Sequence, residues 1–70
     1  MRGVEDLADN LAKDAIELAN KLGDDDVIYK TAKVLVATSS TMEEAYMTSI
    51  RVRLAERRAR RFLEEKTQAS

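Results

Sequence analysis

Across its 70 residues this chain has no proline, and of its two glycines, Gly3 and Gly23, only Gly23 lies in the interior. A backbone with so few breakers runs in long helices joined by short turns. No cysteine and no histidine are present either. The chain is therefore without a disulfide and without the soft ligands of a structural zinc site. Small folds that lack both staples lean on close helix packing or on a second subunit.

The apolar spacing predicts three helices. Val4, Ala8, Leu11, Ala15, Leu18 and Leu22 recur at intervals of 4, 3, 4, 3 and 4, the heptad pattern of a helical seam. Leu7, Ala12 and Ala19 flank it, with Asp6, Asp9, Lys13, Glu17 and Asn20 opposite. Gly23 sits where a left-handed residue would end this helix. A second helix is expected over about 25–38, opened by the aspartates at 24–26 and apolar nearly all round. Lys33 to Thr38 could also be read as a strand from its β-branched content, but no partner strand is visible. A third helix is expected over about 42–66, after the capping cluster Ser39-Ser40-Thr41, where Ser40 with Glu43 and Thr41 with Glu44 both fit a capping box. The fold class is thus all-α, one small domain over 1–70, in a three-helix antiparallel arrangement whose long C-terminal helix overhangs the rest.

Charge is divided along the chain. Residues 1–26 carry Arg2, Lys13 and Lys21 against eight carboxylates, a net charge of −5. Residues 51–63 carry Arg51, Arg53, Arg57, Arg58, Arg60 and Arg61 against Glu56, a net charge of +5. The overall value of −1 conceals this split. Such separation governs partner choice and encounter rate more than fold.

The apolar surface of the third helix also changes direction. At about 100° per residue, Met42, Tyr46, Met47, Ile50 and Leu54 share one side, while Val52, Ala55, Ala59, Phe62 and Leu63 share another. Arg53, Arg57, Arg60 and Arg61 take over the sector used by the first set. Two neighbours are implied for this helix: its front half packs on the other two helices, and its back half meets the same bundle or a second chain. A homodimer is expected, with Ile28, Leu35, Phe62 and Leu63 at its interface. Met42, Tyr46 and Met47 have the spacing of core residues, although methionines also make adaptable binding surfaces.

The arginines Arg53, Arg57, Arg58, Arg60 and Arg61 are the candidate partner-binding residues. They form either a solvated helix face paired with Glu56, Glu64 and Glu65, or a docking surface for planar anions. Carboxylates on another protein are the preferred target. Nucleic acid is the alternative, weakened by a sequence pI near 5.4 and by an aromatic set of only Tyr29, Tyr46 and Phe62. The carboxylates of the first helix serve solubility or meet a basic surface, including the arginines of another copy.

Catalysis is not expected. The usual bases and thiol nucleophiles are missing, Ser39, Ser40, Thr41 and Ser49 have no partner base at a meaningful spacing, and there is no glycine-rich phosphate loop. Asp24-Asp25-Asp26 is contiguous, unlike a calcium loop, and suits helix capping. No cofactor, metal or small-molecule substrate is anticipated. Met1-Arg2-Gly3 runs straight into Val4-Glu5-Asp6, without the apolar segment of a signal peptide. The longest apolar run is Val34-Leu35-Val36-Ala37, far short of the roughly 20 residues that span a bilayer. A cytoplasmic protein that keeps off membranes is expected. Its function class is a non-enzymatic protein–protein interaction module, a small adaptor, inhibitor or regulator acting by surface occupation.

Overall fold

The computed structural model describes residues 3–69. Three helices pack against one another: α1 (Val4–Leu22), α2 (Asp26–Val36) and α3 (Ser40–Ala69). The described residues contain no strand, so the segment 33–38 is helix and turn. None of the helices is long and apolar enough to cross a membrane.

Gly23 ends α1 as expected. It adopts φ 65°, and the N–H groups of Gly23 and Asp24 donate to the carbonyls of Asn20 and Ala19 at 3.4 and 3.0 Å. This is the double bond of a Schellman cap, which needs a left-handed residue. The Asp24 carboxylate then accepts the N–H of Asp26 at 3.0 Å and helps start α2. At the second turn the expectation shifts by a few residues. The N–H groups of Thr38 and Ser39 both donate to the Leu35 carbonyl, at 3.0 and 2.7 Å, and this tight turn ends α2 at Val36. The Ser39 hydroxyl accepts the N–H of Met42 at 3.1 Å. Ser39 is therefore the cap, in place of Ser40 or Thr41, and α3 begins at Ser40.

The core consists of Ala8, Ala12, Ala15, Ile16 and Ala19 of α1, Ile28 and Ala32 of α2, and Tyr46 and Ile50 of α3. The buried face of α1 is thus turned from the expected seam. Val4, Leu7, Leu18 and Leu22 remain largely exposed, while the alanines face inward. The cause is steric: α3 brings the bulk of Tyr46 and Ile50, and opposing small residues let the helices close to packing distance. The Tyr46 hydroxyl donates to the backbone carbonyl of Ile28 at 2.8 Å, tying α3 to α2 across the core. Ile28, expected at a dimer interface, is 4% exposed and inside this core. It has no surface to offer a second copy. Leu35 is half-buried and packs against the same cluster.

Val4 and Glu5 line one groove with Thr41, Glu44 and Thr48, whereas Lys13 and Ile16 line another with Val52, Glu56 and Arg57. α1 and α3 therefore run in the same direction, with α2 returning between them. At 30 residues α3 is about 45 Å long, and α1 has 19 residues. From Ala55 to Gln68 every residue of α3 is exposed. This free half accounts for a radius of gyration of 14.2 Å, where a compact chain of this length has about 11 Å.

No atom within 4 Å would meet a side chain added at Gly23, so only its backbone conformation resists substitution. Gly23→Ala should cost about 1 kcal/mol and lower the melting temperature by about 4–8 °C in a thermal denaturation scan. Burial pushes the Tyr46 phenol above its ordinary 10.0, opposed by the Thr31 hydroxyl. The folded state holds that proton more tightly, so this contribution is complete below pH 10 and is lost as pH rises through the folded value. Tyr46→Phe should cost about 1 kcal/mol at neutral pH and show a shallower alkaline loss of stability than the wild type in urea titrations.

Candidate functional site

The free half of α3 exists as a helix because Ala, Glu, Arg and Leu are strong helix formers. It also continues a helix already nucleated by the core, which spares it the cost of starting one. Contacts within the helix support it. Arg60 grips the Glu56 carboxylate one turn earlier, at 2.8 Å from Nε and 2.7 Å from Nη2. The Lys66 ammonium lies 5.6 Å from the centre of the Phe62 ring.

Arg53 stands at the boundary between the packed and free halves. Its guanidinium donates from Nε and Nη2 to both carboxylate oxygens of Asp9, each at 2.8 Å. This planar fork joins α1 to α3 across 44 residues of sequence. Arg53 holds the Asp9 carboxyl below its ordinary 3.8; partial burial opposes the effect, while Ser49 and Lys13 reinforce it. Arg53, grouped by sequence with the partner-binding arginines, is thus engaged within the chain.

Arg57, Arg58, Arg60 and Arg61 are all exposed. Arg57, Arg60 and Arg61 converge with Glu64 around one shallow depression. They occupy the angular sector that Tyr46 and Ile50 use to face the core one or more turns earlier. Arg58 lies about 100° around the helix from Arg57, outside this row. Among the described residues only Arg53 and Arg60 form ion pairs, which leaves Arg57, Arg58 and Arg61 without a carboxylate partner. Glu64 and Glu65 do not supply the pairing that a wholly self-satisfied face would have.

The side of α3 opposite the guanidinium row is apolar. Val52, Phe62 and Leu63 are 62%, 56% and 60% exposed, with Ala55 and Ala59 between them. Of the four residues expected at an interface, Phe62 and Leu63 therefore lie on open surface, unlike Ile28 and Leu35. Tyr46 belongs to the core, so no aromatic row accompanies the arginines.

Sequence reasoning missed the Asp9–Arg53 pair and the Tyr46–Ile28 tie. Asp9 lies on the polar side of α1 and Arg53 in a run of arginines, and nothing local links them. A search for Asp–Arg combinations at matching heights of two parallel helices would have included this pair among several others. No protein-family model matches the chain, and neither does any curated protein or solved structure.

The lowered Asp9 pKa means that the fork stabilises the fold fully above the unfolded carboxyl value and is lost as pH falls through the still lower folded value. Asp9→Asn should destabilise the protein at neutral pH. It should also flatten the decline in urea midpoint that the wild type shows below about pH 4. An equal acid response in both proteins would show that the pair contributes nothing.

Proposed function

We propose that the chain is a non-enzymatic interaction module, dimeric in use, that occupies an acidic surface of another protein with the free half of α3. The observation that carries this reading is the row Arg57, Arg60 and Arg61. It stands on the exposed half of α3, and two of its three members have no ion pair among the described residues. A helical rod spends surface in this way usefully when something else covers it. Guanidinium forks match carboxylates in pairs, and the fixed helical spacing sets their register. Affinity would come from apolar contacts beside the row, and orientation and on-rate from the charges.

Protein is favoured over nucleic acid by electrostatics and by stacking. A phosphate backbone carries charge along its whole length and would meet the acidic α1 as well as the row, whereas a protein surface can confine its carboxylates to the patch opposite the row. With Tyr46 buried, only Tyr29 and Phe62 remain for stacking, and they stand on different helices. The absence of histidine and cysteine supports a role without chemistry.

The triple substitution Arg57→Ala, Arg60→Ala and Arg61→Ala keeps strong helix formers at exposed positions and adds no like-charge pairs, so circular dichroism should be unchanged. Binding of a labelled glutamate-rich helical peptide, followed by fluorescence anisotropy, should weaken by about tenfold, or ~1.4 kcal/mol. Duplex DNA titrated in parallel should bind weakly. Tighter binding to the duplex than to the peptide, with a steep loss on adding salt, would transfer the row to phosphate recognition.

A further inference from the structure

On the side of α3 away from the guanidinium row, Val52, Ala55, Ala59, Phe62 and Lys66 recur at intervals of 3, 4, 3 and 4. This is the a/d spacing of a two-stranded coiled coil. The seam lies on the face of α3 turned from Tyr46 and Ile50. Upstream, at Ala45 and Thr48, it runs beside Val4 and Glu5 of α1, which line a groove with them. Val52 still lines a groove with Lys13 and Ile16 of α1, and from Ala55 onward the seam is exposed.

We propose that a second copy of the chain covers this seam with its own, running antiparallel, so that Phe62 of each copy packs on the partner's Ala59. This rests on the dimeric reading above and adds its geometry. The exposed part of the seam runs from Ala55 toward the end of α3, and opposing two such seams carries the two α1–α2 pairs to opposite ends, where they do not meet. With the two-fold axis between Arg60 and Arg61, the layers become Phe62 on the partner's Ala59 and Lys66 on the partner's Ala55, each occurring twice. Large residues then meet small ones throughout, as close helix packing requires. The flanking g positions are Arg58 and Glu65, and this register sets Arg58 against the partner's Glu65 on both sides of the axis. Arg58 has no ion pair within the described residues, so the partner supplies one.

A parallel, in-register pairing is worse in its core layers. It stacks Phe62 on the partner's Phe62, Ala59 on the partner's Ala59 and Lys66 on the partner's Lys66. At the flanks the two arrangements are even: parallel pairing sets Arg51 against the partner's Glu56 and leaves Arg58 against the partner's Leu63, while the antiparallel register pairs Arg58 with the partner's Glu65 and leaves Glu56 against the partner's Leu63. The antiparallel arrangement also places Arg57, Arg60 and Arg61 at the outer b, c and f positions. Both guanidinium rows stay open, and the two helical cores sit at opposite ends of a rod. One isologous contact of this kind closes the assembly at two chains. Its short overlap implies dissociation on dilution.

Analytical ultracentrifugation over a range of concentrations, together with one distance, tests this. The chain has no cysteine, so Thr48→Cys provides a single spin-label site outside the overlap. The proposed register separates the two Thr48 positions by about 25 residues of helix, or roughly 37 Å. Parallel pairing would bring them within about 10 Å. The expected results are a reversible dimer, a distance near the larger value and a monomeric Phe62→Asp. Arg58→Glu and Glu65→Arg should each weaken the dimer about tenfold, and the double substitution should restore it. A wild type that stays monomeric at all concentrations would overturn both the dimeric reading and this arrangement. A dimer with the short distance, one that survives Phe62→Asp, or one that the double substitution fails to restore would overturn the arrangement alone.

Discussion

The rest of the molecule depends on how closely α3 can approach α1. Ala8, Ala12, Ala15 and Ala19 give α1 a face with almost no side-chain depth, and Tyr46 and Ile50 fill the space against it. Burying a side chain of that size contributes about 1.5–3 kcal/mol, and among the described residues the larger side chains that are buried are Ile16, Ile28, Tyr46 and Ile50. Stability is therefore concentrated in the first half of α3. The Tyr46 hydroxyl adds direction to this packing by anchoring on the carbonyl of Ile28. Lys13 and Ile16 of α1 still line a groove with Glu56 and Arg57, and beyond these α3 is exposed on every side.

The free half of α3 results from that limit, and it shares a helical frame with the packed half. The sector that buries Tyr46 and Ile50 passes, within two turns, to Arg57, Arg60 and Arg61. The side that is unneeded near the core becomes the apolar seam through Ala59 and Phe62. One helix thus presents a charged face and an apolar face on opposite sides, both exposed from Ala55 to Gln68. Arg53 stands near the changeover: its pairing with Asp9 fastens α3 to α1 about a turn before α3 runs free. The proposed docking surface and the proposed dimer seam are the two sides of this one segment, so that occupying one leaves the other open.

Much of this was legible from the residues in order. Gly23 predicted the end of α1 because only a left-handed residue completes that cap, and glycine takes the conformation without strain. The rotation of apolar positions along α3 predicted that its halves have different surroundings, since angular position is set by helical geometry alone. The capping cluster predicted the start of α3 to within two residues; which hydroxyl acts as the cap depended on how tightly the chain turns after Leu35. The face of α1 was harder to read. Leucines outweigh alanines in any count of hydrophobicity, yet the alanines are buried. Depth of approach between two helices belongs to both of them and is invisible in either one.

Ile28 and Arg53 show the same boundary from opposite directions. Sequence pattern marks Ile28 as apolar and Arg53 as cationic, and both descriptions hold. Whether an apolar residue meets its own chain or another, and whether a guanidinium is free or held, depends on which elements stand beside it. By itself the sequence determined three helices, their approximate limits, the separation of charge and the turning of the apolar face along α3, because these are properties of neighbours within a few residues. Only the tertiary structure decided that alanines form the buried side of α1, that Asp9 holds Arg53 and that α3 is exposed from Ala55 to Gln68. Those outcomes depend on the relative heights and spacing of helices, which are fixed by the volumes that meet in the core.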